Sequence, residues 1–209
     1  MHTFTAPTQL RGRRRQLIGV LFVAATVATI GAGSFSLAIF TSTATVGANA
    51  FTTGTILLGV APATAIFTSA NMMPGDSVPA AVAGQAVTVS NSGTGALRYA
   101  ISGASTDADG KHLNTQLLVT VRQPDGNAGS SCTLMTGNQL FSTVIPTGGV
   151  NMVGDPIQGN QAGDRTLAAG TNETLCFKAS LPIGTGNAFQ AATSTYTFTF
   201  AAEQTANNP

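Results

Sequence analysis

The 209-residue chain is poor in charge: 8% of its residues are charged, 43% are hydrophobic and 24 are glycines. Four of its nine basic residues lie between Arg11 and Arg15, whereas all eight acidic residues lie at Asp76 or later. The body of the chain therefore has five basic and eight acidic side chains, a net charge of −3. Five scattered cations form no patch for phosphate groups, which argues against nucleic-acid binding. Abundant Thr, Ala and Gly with little Lys or Glu predict one domain of strands and turns.

The arginine cluster and the apolar run after it are typical of a bacterial export signal. Residues 17–40 contain no charged side chain, and small residues at Ser36 and Ala38 form the expected cleavage site. We expect residues 1–38 to be a signal peptide with a helical apolar core, cut by a signal peptidase between Ala38 and Ile39. The chain would then meet the membrane only during export. Two alternatives stay open: the run could span a bilayer as an uncleaved anchor, and the arginines resemble a twin-arginine export motif.

The segment after the cleavage site is uncharged as far as Gly75. Within it, residues 51–60 place apolar side chains on both faces of an extended chain, with Leu57 on one face and Leu58 and Val60 on the other. This pattern predicts a strand buried on both sides.

Alternation of apolar and polar residues predicts further strands at 87–90, 97–101, 117–122, 174–181 and 195–200. Turn residues at 91–95 predict a hairpin between the first two of these. The Gly-rich stretch 141–164 predicts a long loop that could include a short hairpin. Several short strands separated by Gly, Pro, Asn and Asp indicate two packed antiparallel sheets, hence an all-β sandwich.

The two cysteines, Cys132 and Cys176, lie in the part of the chain that we expect to be exported. In an oxidising compartment such a pair most simply forms a disulfide, worth about 3 to 4 kcal/mol in the chain-entropy model. A pair of buried free thiols is the alternative. Two thiols without nearby histidines cannot complete a zinc site.

No catalytic motif is visible after the signal. His112 is the single imidazole there, and the chain has neither a G-x-S-x-G nor an H-E-x-x-H motif, so we expect no catalytic residue and no cofactor. Asp107 and Asp109, in the run Asp-Ala-Asp-Gly, resemble the start of a calcium loop and are candidate ligands. No glutamate closes that loop, which favours an ordinary Asp-Gly turn.

Short blocks of small and β-forming residues follow one another along the chain: GAGSF at 31–35, IFTSTAT at 39–45, NAFTTGTILL at 49–58, MPGD at 73–76, LAAG at 167–170 and YTFTFAAEQ at 196–204. Their order and spacing resemble the TasA/camelysin family of secreted fibre-forming proteins. The resemblance implies a jelly-roll-like sandwich over residues 39–209 and assembly into extracellular fibres of a biofilm or cell surface by donor-strand exchange.

The donor implied by the resemblance is the uncharged segment 39–52, with Phe40, Val46 and Phe51 as its assembly residues. An exposed apolar strand of this kind pairs readily with a sheet edge. The expected partners are further copies of the chain, the signal peptidase and other matrix proteins.

Two alternative functions remain. Camelysin-like members of the family are classed as metallopeptidases, but His112 without clustered carboxylates cannot supply the three protein ligands of a catalytic zinc. The other alternative is a cell-wall-associated surface protein that does not polymerise.

Overall fold

The computed structural model describes residues 53–208, and in this range it confirms the all-β prediction. The strands are β1 Leu58–Ala61, β2 Ser77–Val78, β3 Gln85–Asn91, β4 Leu97–Ser105, β5 Leu118–Arg122, β6 Gln139–Val144, β7 Val150–Val153, β8 Arg165–Leu167, β9 Asn172–Ser180 and β10 Tyr196–Gln204. Three single-turn 3-10 helices lie at Leu113–Thr115, Asp125–Asn127 and Asn187–Phe189. The predicted signal peptide, its cleavage site at Ala38 and Ile39, and the predicted donor segment with Phe40, Val46 and Phe51 lie outside the described residues.

The strands form two sheets, and every strand pair between residues 53 and 208 is antiparallel. Sheet A has the order β1-β3-β9-β5-β6, and β2 pairs with the end of β9 that β3 leaves uncovered. Sheet B has the order β10-β4-β7, and β8 also pairs with β4. The predicted jelly-roll-like antiparallel sandwich is confirmed. None of the helical turns in this part of the chain is long and apolar enough to cross a membrane.

The core lies between the two sheets. Sheet A contributes fully buried side chains from its middle strands, namely Val87, Val89, Val119, Val121, Leu175 and Phe177. Sheet B contributes Leu97, Tyr99, Ile101, Met152, Val153 and Leu167. The period-two pattern placed most of these residues inside correctly, because alternate side chains of a strand point to opposite faces.

The predicted hairpin around residues 91–95 is wrong. β3 belongs to sheet A and β4 to sheet B, so the connecting turn passes from one sheet to the other. Asn91, only 1% exposed, fixes this corner: its amide donates to the carbonyl oxygens of Gly95 (2.8 Å) and Leu167 (3.2 Å), and its Oδ1 accepts from Gly93 N (3.0 Å). A turn sequence shows where the chain reverses but not which sheet it joins next.

The predicted loop at 141–164 is also wrong in its first half. β6 extends to Val144 in sheet A, and β7 returns in sheet B. Buried Ile145 and Met152 hold this part of the chain against the core. They find room because Gly103 faces them without a side chain; a methyl group there would lie 2.6 Å from Met152 Sδ.

The strand predicted at 51–60 is shorter and more exposed than expected. Only Leu58–Ala61 forms β1, and Leu57 is 60% exposed. The physical reason is that β1 is the outermost strand of sheet A and pairs only with β3 in the described residues. Burial on both faces would require a further layer on its outer side.

Candidate assembly interface

The two sheets differ in width. Across residues 53–208, sheet A is five strands wide, whereas sheet B is three strands wide where β10, β4 and β7 lie side by side. β10 is the outermost strand of sheet B and pairs with β4 over nine residues, from Tyr196 opposite Ser105 to Gln204 opposite Leu97. No other strand of the described chain pairs with its second edge.

The backbone of β10 exposes hydrogen-bonding groups on that second edge. At its two ends the ladder with β4 is closed by Thr106 N donating to Thr195 O (2.9 Å) and by Thr205 N donating to Ala96 O (3.2 Å). Antiparallel neighbours bond through alternate residues, so the odd-numbered residues of β10 face β4. The N–H and C=O groups of the even-numbered residues point outward, and four of these residues have no backbone partner among residues 53–208: Tyr196, Phe198, Phe200 and Ala202. The fifth, Gln204 at the end of the strand, accepts at its carbonyl from the Asn208 side chain.

The side chains of the same four residues face the core but are only half-buried. Phe198 packs edge-on against Phe177 of β9, with ring centroids 5.5 Å apart, and against Phe67, at 6.0 Å. Phe177, in the middle of sheet A, is fully buried. The contrast arises because, among the described residues, Phe198 has a neighbouring strand on one side only. An additional strand beside β10 would cover this aromatic row.

The outer face of β10 is polar. Thr197 and Thr199 alternate with the aromatic residues and are exposed. β10 is therefore apolar on its inner face, polar on its outer face and, within residues 53–208, unpaired along one edge. This combination favours the addition of a further strand.

The other free edges of the described sandwich are shorter or interrupted. β1 has four residues and is followed by Pro62, which has no N–H to donate. β6 has six residues. The edge formed by β7 and β8 is broken by residues 154–164, which leave the sheet. β10 thus presents the longest continuous edge in this part of the chain.

The C-terminal end of β10 is held by a buried arginine. Arg98, 6% exposed, donates from Nε to Glu203 Oε1 (2.5 Å) and from a terminal nitrogen to the carbonyl of Asn208. The Glu203 carboxylate also accepts from Gly159 N (3.0 Å). The hydrogen bond from Arg98 is the main reason that the pKa of Glu203 lies below its usual range. These bonds fix the strand against the 154–164 loop.

The N-terminal end of β10 is held by Asp109. One of its carboxylate oxygens accepts from Thr193 N (2.6 Å) and Thr193 Oγ1 (3.1 Å), and the other accepts from Lys111 N (3.1 Å). Backbone donation from Lys111 and Thr193 lowers the pKa of Asp109. Because both ends of β10 are anchored, its outer edge is already ordered for pairing with an added strand.

Asp107 and Asp109, the candidate calcium ligands, accept hydrogen bonds from different parts of the chain. Asp107 accepts from His112 N (2.8 Å) and pairs with the His112 ring nitrogen Nδ1, whereas Asp109 bonds the segment before β10. Both carboxylates accept hydrogen bonds that stabilise loops, as expected for an ordinary Asp-Gly turn.

The structure joins Cys132 and Cys176 in a disulfide, with Cα atoms 5.4 Å apart. The bond connects a long loop to β9 at the centre of sheet A. Within the loop, the Asp125 carboxylate accepts hydrogen bonds from Ser131 Oγ, Thr133 Oγ1, Leu134 N, Thr136 N and Thr136 Oγ1. These bonds hold the pKa of Asp125 far below its usual range. Asp125 therefore positions the loop that presents Cys132.

A second polar cluster links the two sheets and was not visible in the sequence. Tyr99 of β4 donates its hydroxyl to Glu173 of β9 (2.6 Å), and Arg165 of β8 donates to both oxygens of the same carboxylate. Burial is the main cause of the raised pKa of Tyr99. Arg165 and Glu173 are eight residues apart, but Tyr99 is 74 residues from Glu173, so the cluster could be predicted only from the order of the strands in the two sheets.

A family model described as Camelysin metallo-endopeptidase matches residues 13–208. No individually curated protein matches the chain. The family's description implies a metal ion, but the donor set between residues 53 and 208 does not fit one: His112 is paired with Asp107, both cysteines are disulfide-bonded, and no three His, Cys, Asp or Glu side chains there lie together. Because the match spans nearly the whole sequence, the chain belongs to the TasA/camelysin family.

Proposed function

We propose that the protein is a secreted structural subunit of an extracellular fibre, in a bacterial biofilm matrix or on the cell surface. Its subunits assemble head to tail by donor-strand exchange: the N-terminal segment 39–52 of one subunit adds a strand to the sandwich of the next. The observation that carries this proposal is the nine-residue free edge of β10. Membership of the TasA/camelysin family is consistent with it.

The physical gain from strand addition has two parts. The four outward-facing residues of β10 offer backbone donors and acceptors, and each hydrogen bond formed contributes about 0.5–1.5 kcal/mol net. The added strand also removes the half-buried aromatic row from water, at about 25 cal/mol per Å² of apolar surface. Donor and acceptor are different surfaces of the subunit, so the contact is heterologous, and it produces filaments when the rotation between successive subunits does not close a ring.

Release of the donor segment depends on processing. Cleavage between Ala38 and Ile39 would give the mature chain an N-terminal segment without charged side chains. A surface protein that does not polymerise and keeps its anchor would retain residues 1–38. Intact-mass measurement of the exported protein distinguishes these cases, because a mass that begins at Ile39 excludes the retained anchor.

The peptidase alternative has less support in the described residues, whose donor set does not fit a catalytic zinc. It predicts casein cleavage that a chelator abolishes and zinc restores. We expect purified protein supplied with zinc to leave casein intact; chelator-sensitive cleavage would contradict the proposal.

The direct test is negative-stain electron microscopy of a chain that begins at Ile39 beside a chain that begins at Thr52. The shorter chain keeps the compact unit Thr52–Pro209 and lacks the donor, and circular dichroism checks that its strands are intact. We expect filaments from the first chain and monomers from the second. Filaments from both would place the contact elsewhere, and absence of filaments from the first chain would remove the proposal.

A further inference from the structure

We propose that a cavity at one end of the sandwich binds the acetamido group of an N-acetylhexosamine, either as a free sugar or as a unit of a glycan. The cavity has a volume of about 310 Å³ and lies between the β4–β5 connection and the end of β6 with the connection that follows it. It is lined by Asp107, His112, Asn114, Thr115, Val144, Pro146 and Thr147. None of these residues belongs to β10, and binding here does not depend on fibre formation.

Asn114 is the residue that indicates a ligand. It lies in the 3-10 helix Leu113–Thr115, is 5% exposed and lines the cavity. Its side-chain oxygen Oδ1 is buried and accepts no hydrogen bond among residues 53–208. Buried polar atoms almost always have a partner. A ligand with a donor group would therefore supply what the described chain does not provide.

The size of the cavity favours a small organic molecule over a single water. A water molecule occupies about 30 Å³ in the liquid, which is about a tenth of the cavity volume. Pockets that bind small organic molecules have volumes of about 300–1,000 Å³. The cavity is at the lower end of this range, which suits one sugar ring.

The charged groups at the cavity favour a neutral ligand. Asp107 accepts from His112 N (2.8 Å) and pairs with His112 Nδ1, so both of its carboxylate oxygens are engaged. An anionic ligand would lie beside this carboxylate, and a cationic ligand would compete with His112 for it. A metal ion would find too few ligands, because only His112 Nε2 and the Asn114 oxygen remain.

An acetamido group matches the combination of an unpartnered acceptor and an apolar wall. Its N–H can donate to Asn114 Oδ1. Its methyl group can pack against Val144 and Pro146, which line the same cavity. A plain hexose has no methyl group for this wall, so the cavity should prefer the N-acetylated sugar.

The rim of the cavity is polar and accessible. His112, Thr115 and Thr147 are exposed, and His112 Nε2 has no hydrogen-bond partner among residues 53–208. These three side chains can exchange hydrogen bonds with the hydroxyl groups of a sugar ring. A peptide backbone has the amide but no hydroxyl groups, so it would leave the rim unmatched.

Hydrogen bonds already hold the two connections that form the cavity. Ser105 donates from Oγ to Ile145 O (2.7 Å) and from N to Pro146 O (3.3 Å). Thr115 donates from N (3.0 Å) and from Oγ1 (2.8 Å) to His112 O. His112 has a φ of 58°, in the left-handed region that few residues other than glycine adopt, and in this conformation its ring contacts Asp107. A ligand therefore does not have to order the site.

Saturation-transfer NMR tests the ligand with the chain that begins at Ile39, because it detects weak binding to monomers and to filaments. N-acetylglucosamine is the probe, glucose supplies the ring without the acetamido group, and N-acetylalanine amide supplies the acetamido group without the ring. We expect transfer to the acetyl methyl protons of N-acetylglucosamine to exceed transfer to either control at least about fivefold. Equal transfer to a control, or no transfer to N-acetylglucosamine, would overturn the proposal.

Two variants locate the bound sugar. Asn114→Ala removes the acceptor, and Thr147→Trp fills the cavity from an exposed position of its rim. Thr166→Trp is the matched control, because Thr166 is exposed on β8 and pairs with Arg98 at the other end of β4. We expect the first two variants to reduce the transfer at least about fivefold and the control to leave it unchanged.

Circular dichroism checks that each variant keeps its strands. If Asn114→Ala does not fold, Thr147→Trp decides, since it changes no buried residue. Unchanged transfer in Thr147→Trp, or an equal loss in Thr166→Trp, would show that the sugar binds elsewhere and would overturn the proposal.

The source of the sugar is identified with chitotetraose, a chain of four N-acetylglucosamine units. The exposed rim leaves room for further units attached to the bound ring. Transfer to chitotetraose as well as to the monosaccharide assigns the site to a glycan, and transfer to the monosaccharide alone assigns it to a free sugar. Transfer to neither would overturn the proposal.

Discussion

At the scale of single residues, a few carboxylates stabilise loops through hydrogen bonds that cannot be predicted from the composition. Asp125 looks like an ordinary turn residue in Pro-Asp-Gly-Asn, yet its two oxygens accept five hydrogen bonds from residues 131–136. The four acceptor sites of a carboxylate suit this cluster of donors. The Ser and Thr residues that follow the turn are possible hydrogen-bond donors to Asp125. The sequence does not show the path of the loop that brings these donors to its carboxylate.

We predict that Asp125→Asn lowers the thermal unfolding midpoint more than Asp155→Asn, a control whose carboxylate accepts a single hydrogen bond, from Ile157 N, among the described residues. The Asn side chain keeps its shape, but its NH₂ group would meet other donors in place of an acceptor oxygen. Differential scanning calorimetry at pH 7 gives the comparison. Equal midpoints for the two variants would contradict the role of Asp125.

Asp125 also gives a prediction about how the stability of the protein depends on pH. Its folded-state pKa lies below the unfolded value of 3.8, so its stabilising contribution is present above that pH and is lost as pH falls through the folded-state pKa. The difference in midpoint between the unsubstituted protein and Asp125→Asn should therefore shrink between about pH 4 and pH 2. A difference that stays constant over this range would show that the effect is not electrostatic.

At the scale of elements, the sequence predicted strands well and their partners poorly. The alternation at 87–90 and 195–200 gave the correct strands and faces, because burial on one side of a sheet imposes a period of two. The turn residues at 91–95 predict a hairpin, but the buried Asn91 amide holds this turn in a conformation that carries the chain from one sheet to the other. The glycines of residues 141–164 predict a loop, but they flank β7 and do not interrupt β6 or β7, both of which form.

The disulfide gives a prediction at this scale, since it joins a loop to the central strand of sheet A. Replacing both residues, Cys132→Ala with Cys176→Ala, should cost about 2–5 kcal/mol in the free energy of unfolding. Urea denaturation followed by circular dichroism measures the loss. Reducing agent should shift the unsubstituted protein to the midpoint of the variant; no shift in either experiment would mean that the bond contributes nothing.

The anchoring of the C-terminal end of β10 gives a further prediction at the scale of elements. Glu203→Gln replaces the carboxylate that accepts from Arg98 and Gly159 N, so the end of the strand should open more often. Hydrogen exchange should accelerate at the amide of Thr205, which closes the ladder there, and remain unchanged at Thr106 at the opposite end. Equal acceleration at both ends would indicate a general loss of stability instead.

At the scale of the whole molecule, the described domain is a sandwich whose narrower sheet ends in an exposed strand. The fold class followed from composition and periodicity, since few charges, many turns and short alternating runs leave little else. The free edge could not be predicted, because it depends on strand order, which one sequence does not reveal. The absence of charged side chains from residues 16–75 is the one sequence feature that suggests that part of the chain is covered in the assembled protein.

Amide hydrogen exchange along β10 tests the central claim most directly, by comparing the chain that begins at Thr52 with filaments of the chain that begins at Ile39. In the shorter chain, the outward-facing amides of Phe198, Phe200 and Ala202 should exchange quickly, and those of Thr197, Thr199 and Ala201, bonded to β4, slowly. In filaments both sets should be protected, because a strand now lies on each side. Filaments in which the even-numbered amides still exchange quickly would contradict strand addition at β10.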